Sequence, residues 1–323
     1  MSKPILAGYD PRLGDRAPVD FGVAVARLTG APLLVAAVHA RASVLAVSAG
    51  QSLPYGVVDD DLLDEAPEAL RALEGELRTL GVDAEVRVGR GASAASALHA
   101  LAEEEDAGLL VVGSERRANP GRVGAGSTAG RLLHGSPCPV ALVPRDWTAH
   151  AVETVGVAFV DSEEGRQALR GAHAIARRVG ARLRAITVVK PRLSDASEAE
   201  ATTPARDRRD PEDVVGEHRL AAESALRRAV DELGTEVPVE VEALIGDPVE
   251  LLVTASEHLD LLVCGSRGYG PVRAVLLGSV SGAVMMAARC AVIAVPRGVR
   301  TSLDDLAGQP SRRRDARRVV ASS

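Results

Sequence analysis

The chain has 323 residues, 46% hydrophobic and only 2% aromatic, so about two domains with cores of Ala, Val and Leu are expected. Its formal net charge is −6, split as 14 basic against 19 acidic residues in 1–150 and 24 against 25 in 151–323, which argues against a general nucleic-acid surface. Three cysteines without a close pair (Cys138, Cys264, Cys290) argue against a disulfide framework or a zinc site, and no run of about 18 apolar residues is present to span a membrane.

The chain enters an apparent strand directly at Lys3-Pro4-Ile5, with no secretory leader before it, so a cytoplasmic location is expected. Short apolar runs near 4–9, 33–39, 84–88, 109–112 and 140–143 read as strands. Helical periodicity falls near 15–29, 67–80, 92–106 and 126–134, and Gly30 stops the first helix. The segment 41–66 holds several Asp and Glu with Ser and Pro and reads as a surface loop. The same order then recurs. Val155–Asp161 stands for Ile5–Asp10, Leu183–Val189 for Leu33–Val38, and the polar stretch 191–216 for the first loop. Leu109-Leu-Val-Val-Gly-Ser114 returns as Leu261-Leu-Val-Cys-Gly-Ser266, an offset of 152. Cys138-Pro-Val-Ala-Leu-Val-Pro144 returns as Cys290-Ala-Val-Ile-Ala-Val-Pro296 at the same offset. A period this long is a whole domain rather than a solenoid unit. Strand–helix alternation implies right-handed crossovers and parallel sheets. The expected organisation is two domains, 1–147 and 152–298, followed by an Arg-rich, disordered tail at 299–323. The final strands, Pro139–Val143 and Ala291–Val295, are the edges expected to pair the halves.

Ligands of open parallel sheets bind beyond the carboxyl ends of the strands. In the second half that region reads Gly265-Ser266-Arg267-Gly268, and Gly278-Ser279-Val280-Ser281 opens a helix ten residues after Gly268. Glycines let a backbone approach an anion closely, successive N–H groups point at it, and the hydroxyls of Ser279 and Ser281 are available as donors to phosphate oxygens. Arg267 adds positive charge.

Gly265-x2-Gly268-x9-Gly278-Ser279, together with Asp161 at a strand end and the Cys-x-Val final strand, resembles the ATP-binding pattern of the universal stress protein family. The resemblance covers 3–145 and 153–297. It implies two tandem open, parallel, five-stranded α/β sheets flanked by helices, Rossmann-like and of the adenine nucleotide alpha hydrolase-like kind. By that resemblance Asp161 contacts the nucleoside and Val189, after the second strand, lines the adenine. The matching first-half positions are Asp10, Ala40, Gly113, Gly126, Ser127 and Thr128. There the middle glycine is replaced by Arg116, and Glu115 lies beside the phosphate path, where it would repel. Arg116 and Arg117 could equally contact phosphate, so ATP is expected in the second site while nucleotide binding in the first stays open.

Rival motifs fail. Neither lysine follows a glycine, as a Walker A loop requires; no dinucleotide fingerprint follows the first strand; and serine falls at the wrong offset for a nucleophile elbow at 278–282. No metal-ligand spacing occurs among the seven histidines. With no evident base or nucleophile, the expectation is a nucleotide-dependent regulator in stress or dormancy, with slow hydrolysis at most and Mg²⁺ held through the phosphates. The halves would form an intramolecular pseudo-dimer, with homodimerisation of the whole chain as a further option. The alternatives are a scaffold that binds no nucleotide and an ATP-processing enzyme on the same fold.

Overall fold

The computed structural model describes residues 2–11, 14–40, 62–115, 117–191, 211–234, 236–265, 278–296 and 303. The first half runs β1 (Ile5–Tyr9), α1 (Ala17–Thr29), β2 (Leu33–Ala40), α2 (Leu62–Thr79), β3 (Ala84–Gly91), α3 (Ala94–Glu104), β4 (Leu109–Gly113), α4 (Ser127–Leu133) and β5 (Val140–Val143). The second half repeats it with β6 (Thr154–Ala158), α5 (Glu163–Val179), β7 (Arg182–Val189), α6 (Pro211–Asp231), β8 (Val239–Ile245), α7 (Pro248–Ala255), β9 (Leu261–Gly265), α8 (Ser279–Val284) and β10 (Ala291–Val295). α2 and α6 begin at 62 and 211, inside the expected loops; 41–61 and 192–210 lie outside the described residues.

Local chemistry sets these boundaries. Ser162 caps α5, its Oγ accepting from the Gly165 N–H at 3.1 Å, with Glu163 and Glu164 in the first turn. Asp247 caps α7 in the same way, accepting from Val249 and Glu250. α1 and α5 both stop on a left-handed glycine, Gly30 (φ 72°) and Gly180 (φ 74°), where a side chain would be strained.

Within each half the five strands are parallel, in the orders β3-β2-β1-β4-β5 and β8-β7-β6-β9-β10. The two sheets are joined. β5 and β10 pair antiparallel, Ala141 opposite Ile293, giving one ten-stranded sheet. The expected edges therefore do pair, and each covers the other's open hydrogen-bonding groups. The antiparallel seam also turns the carboxyl ends of the two sets of strands to opposite ends of the sheet. One core layer, holding Val19, Leu73, Leu169 and Leu226, packs α1, α2, α5 and α6 on one face. The other, holding Leu98, Leu132, Leu252 and Met285, packs α3, α4, α7 and α8 on the opposite face. β4, β5 and β10 are buried along their apolar runs, as strands covered on both faces must be.

Further contacts tie the halves together. Arg178 Nε donates to the Leu28 carbonyl at 2.6 Å, and the Val123 N–H donates to the Ala288 carbonyl at 2.8 Å. Leu303 lies within the segment expected to be a disordered tail, yet it is 2% exposed and packs on α5 at Gly171. The rest of 299–323 lies outside the described residues.

Candidate functional site

Two cavities open at equivalent strand ends, one per half. The second-half cavity, about 320 Å³, is walled by Ala158, Ile186, Val188 and Leu252 and edged by Asp161, Gly265 and the turn Gly278–Ser281. It brings together Asp161, Gly265, Gly278, Ser279, Val280 and Ser281, residues up to 120 positions apart. Arg267 and Gly268 lie outside the described residues.

Asp161 follows β6 and immediately precedes the cap of α5. Its carboxylate accepts from Arg166 Nε at 3.1 Å and Nη2 at 2.9 Å, and Arg166 also pairs with Glu232 at 3.1 Å. The hydrogen bond from Arg166 to Asp161 pushes the guanidinium pKa further up. The Asp161 side chain is 49% exposed, so this ion pair is solvent-screened and readily exchanged for another donor. Ser281 is committed otherwise than the sequence suggested. Its Oγ donates to the Gly265 carbonyl at 2.8 Å, tying α8 to the end of β9, so its proton is not aimed at a phosphate. Ser279, exposed at the mouth, keeps that geometry open.

Val189 is not in the wall; Ile186 and Val188 are. Neighbouring side chains on a strand point to opposite faces, and the cavity face of β7 carries Ile186 and Val188, so a shift of one residue reverses the side. The same alternation places Val38 in the first cavity. Ala40 ends β2 beyond it, and its side chain is outside the described residues. Alternation counted back from the strand ends was the available signal for both.

The first-half cavity, about 340 Å³, gathers Asp10, Gly113, Gly126, Ser127 and Thr128. It also takes in Asp15, Ser114 and Glu115. Asp15 is held in place because its Oδ1 accepts from the Ala17 N–H at 3.0 Å. Arg116 lies outside the described residues.

Gly113 and Gly265 have a packing role as well. A Cβ on Gly265 would stand 2.7 Å from the Glu164 carbonyl, and one on Gly113 would stand 3.0 Å from Pro18 Cγ. Both glycines admit the first turn of the helix that follows the half's first strand. Gly165 completes this contact from the helix side, a residue the sequence reading missed. A Cβ there would meet the Val160 carbonyl at 1.9 Å.

Cys264 reaches the wall of the second cavity, and burial pushes its thiol up to about 12; Cys138 is pushed up to about 11. All three cysteines are buried and unbridged. No helix among the described residues is long and apolar enough to cross a membrane.

Comparison with known proteins supports the tandem reading. The pattern of the universal stress protein family matches residues 1–144 and again 151–296. A universal stress protein of Mycobacterium tuberculosis H37Rv is 26% identical over 299 residues, covering 90% of this chain and 99% of its own. A second from the same strain is 28% identical over 306 residues, covering 91% and 98%. Among solved structures, a putative universal stress protein from Pseudomonas aeruginosa superposes over 95% of this chain and 98% of its own, with TM-score 0.64 at 18% identity. One from Archaeoglobus fulgidus covers 91% and 96%, also at 0.64, with 19% identity. These two likenesses show the fold. The chain belongs to the universal stress protein family and carries two copies of its domain in tandem.

Proposed function

We propose that the chain is an ATP-binding regulator of a cytoplasmic stress or dormancy response, with its nucleotide site in the second half and hydrolysis slow at most. The observation that carries this reading is the second cavity, where Asp161, Gly265, Gly278 and Ser279 converge beside an apolar wall at the carboxyl ends of parallel strands. The wall of Ile186, Val188 and Leu252 would take the base. Asp161 would accept from ribose hydroxyls after releasing Arg166. Glycines at 265 and 278 leave backbone exposed to the phosphates, and Arg267 and Gly268 belong to the same site by sequence pattern. Mg²⁺ would be held through those phosphates. The domains in this reading are 1–147 and 152–298, joined across β5 and β10, and ATP would shift the pair between states that differ in affinity for a protein partner.

Nucleotide retained on the gently purified chain, counted by mass spectrometry, tests the site together with calorimetry on Gly278→Asp. The expected result is one ATP per chain, lost in the variant because a carboxylate then occupies the phosphate turn. Unchanged ATP affinity in Gly278→Asp refutes the placement.

A further inference from the structure

The first-half cavity matches the second in size but not in charge. Asp10, Asp15 and Glu115 line it, and no lysine or arginine does so among the described residues. Glu115 sets the contrast. Its backbone is fixed, with its N–H donating to the Gly124 carbonyl at 2.9 Å. The preceding Ser114 is pinned through its Oγ, which donates to the Val143 carbonyl at 2.8 Å and accepts from the Gly124 N–H at 3.1 Å. A Cβ on Gly126 would lie 3.0 Å from Glu115 Cβ and 3.8 Å from its Oε2. The Glu115 carboxylate thus stands over the turn Gly126–Ser127. The corresponding turn of the second half is Gly278–Ser279, where the phosphates are proposed to sit. At an offset of 152, the counterpart of Glu115 is Arg267. The two cavities are similar in volume, and at this position the sequence exchanges Glu for Arg.

We propose that the first-half cavity binds a purine nucleoside without phosphates, and that Glu115 is the residue that sets this specificity. This rests on the nucleotide reading of the second cavity and extends it to the first. Val38, Leu98 and Val112 form the apolar wall for the base, as Ile186, Val188 and Leu252 do in the other half. Asp10 faces the ribose hydroxyls. The 5′-hydroxyl of a nucleoside is neutral and donates a hydrogen bond to the Glu115 carboxylate. A 5′-phosphate carries only acceptors and negative charge, so the same carboxylate repels it. Arg117, two residues on, does not line the cavity.

The test uses the full chain with the second cavity closed by Gly278→Asp, titrated with adenosine and with ATP by calorimetry. One adenosine per chain is expected, with ATP at least about tenfold weaker. Adding Glu115→Arg, which copies the second half, should reverse that preference. Glu115→Gln, which keeps the shape and removes the charge, should raise ATP affinity about tenfold and serves if the arginine disturbs folding. ATP binding the Gly278→Asp chain as tightly as adenosine overturns the proposal. So does the absence of adenosine binding, or an ATP-to-adenosine ratio unmoved by both Glu115 variants. If the wild-type chain takes no ATP while Gly278→Asp still takes adenosine, the function proposed above fails and this inference stands. If Gly278→Asp abolishes one ATP site and no adenosine binds, this inference alone fails.

Discussion

Gly165→Ala is a one-carbon change whose cost can be worked from the structure. The added Cβ would lie 1.9 Å from the Val160 carbonyl oxygen, against about 3.3 Å for an ordinary C···O contact. The obstacle is backbone rather than a yielding side chain. That oxygen also accepts from the Ser162 N–H at 2.7 Å, and Ser162 in turn caps the helix through Gly165 N–H. To relieve the clash, the first turn of α5 must move by more than about 1 Å, loosening the cap and the close packing of Glu164 on Gly265. Overpacking typically costs 1–3 kcal/mol, and loss of a Ser cap adds about 1, so about 3 kcal/mol is expected. At a urea dependence of about 2 kcal/mol/M, the unfolding midpoint falls by about 1.5 M. Gly216→Ala is the control. Gly216 lies within α6 and nothing stands within 4 Å of its added Cβ, so alanine should stabilise by about 0.5–1 kcal/mol. Urea unfolding followed by circular dichroism gives both midpoints. A Gly165→Ala midpoint within about 0.2 M of wild type would refute the packing argument, since the computed cost demands several times that shift.

Two other changes bear on the core. Leu303→Ala should destabilise by about 2–4 kcal/mol, and truncation after residue 298 by at least as much, because Leu303 is buried against Gly171; an unchanged urea midpoint for the truncated chain would show that this contact contributes nothing. Burial raises the Cys138 thiol to about 11 and Cys264 to about 12, with Cys290 also raised, above the ~8.5 of an unfolded thiol. The folded state therefore keeps protons that the unfolded chain releases, so stability is fully present below pH ~8.5 and falls as pH rises toward 11. Between pH 8 and 10 each thiol should cost about 1–2 kcal/mol, and urea midpoints of the triple Cys→Ala chain should fall less over that range than those of wild type.

The strand positions were legible because each is an apolar run bounded by a turn signal, and the repeat was legible because Gly113 to Cys138 and Gly265 to Cys290 span the same interval. Pairing through Val140–Val143 and Ala291–Val295 could be anticipated from edges with nothing else to cover them. What could not be read were contacts set by facing backbone. Gly165 is an ordinary helix residue in the sequence, and only the approach of Val160 makes its missing Cβ essential. Ser281 looks like a phosphate donor until its hydroxyl is found on the Gly265 carbonyl. Val188 rather than Val189 lines the cavity, a one-residue difference that strand alternation in the sequence could have signalled.

The glycine pattern therefore mixes two kinds of information. Gly113 and Gly265 each admit the first turn of a helix, so any chain of this fold has reason to keep them, ligand or none. Keeping Gly113 says that the first half folds like the second; it says nothing about what the cavity holds. Ligand preference has to be sought where the halves diverge without a packing reason. Residue 115 against 267 exchanges Glu for Arg, and residue 116 against 268 exchanges Arg for Gly. Residue 129 against 281 exchanges Ala for Ser, but there the hydroxyl serves the β9–α8 tie, so that difference belongs to the fold. The proposed ligand of the first half rests on residue 115, where the sequence exchanges Glu for Arg between halves whose cavities are similar in size and each have an apolar wall. In that proposal a single side chain placed over the turn that opens α4 sets two cavities of similar size to different ligands.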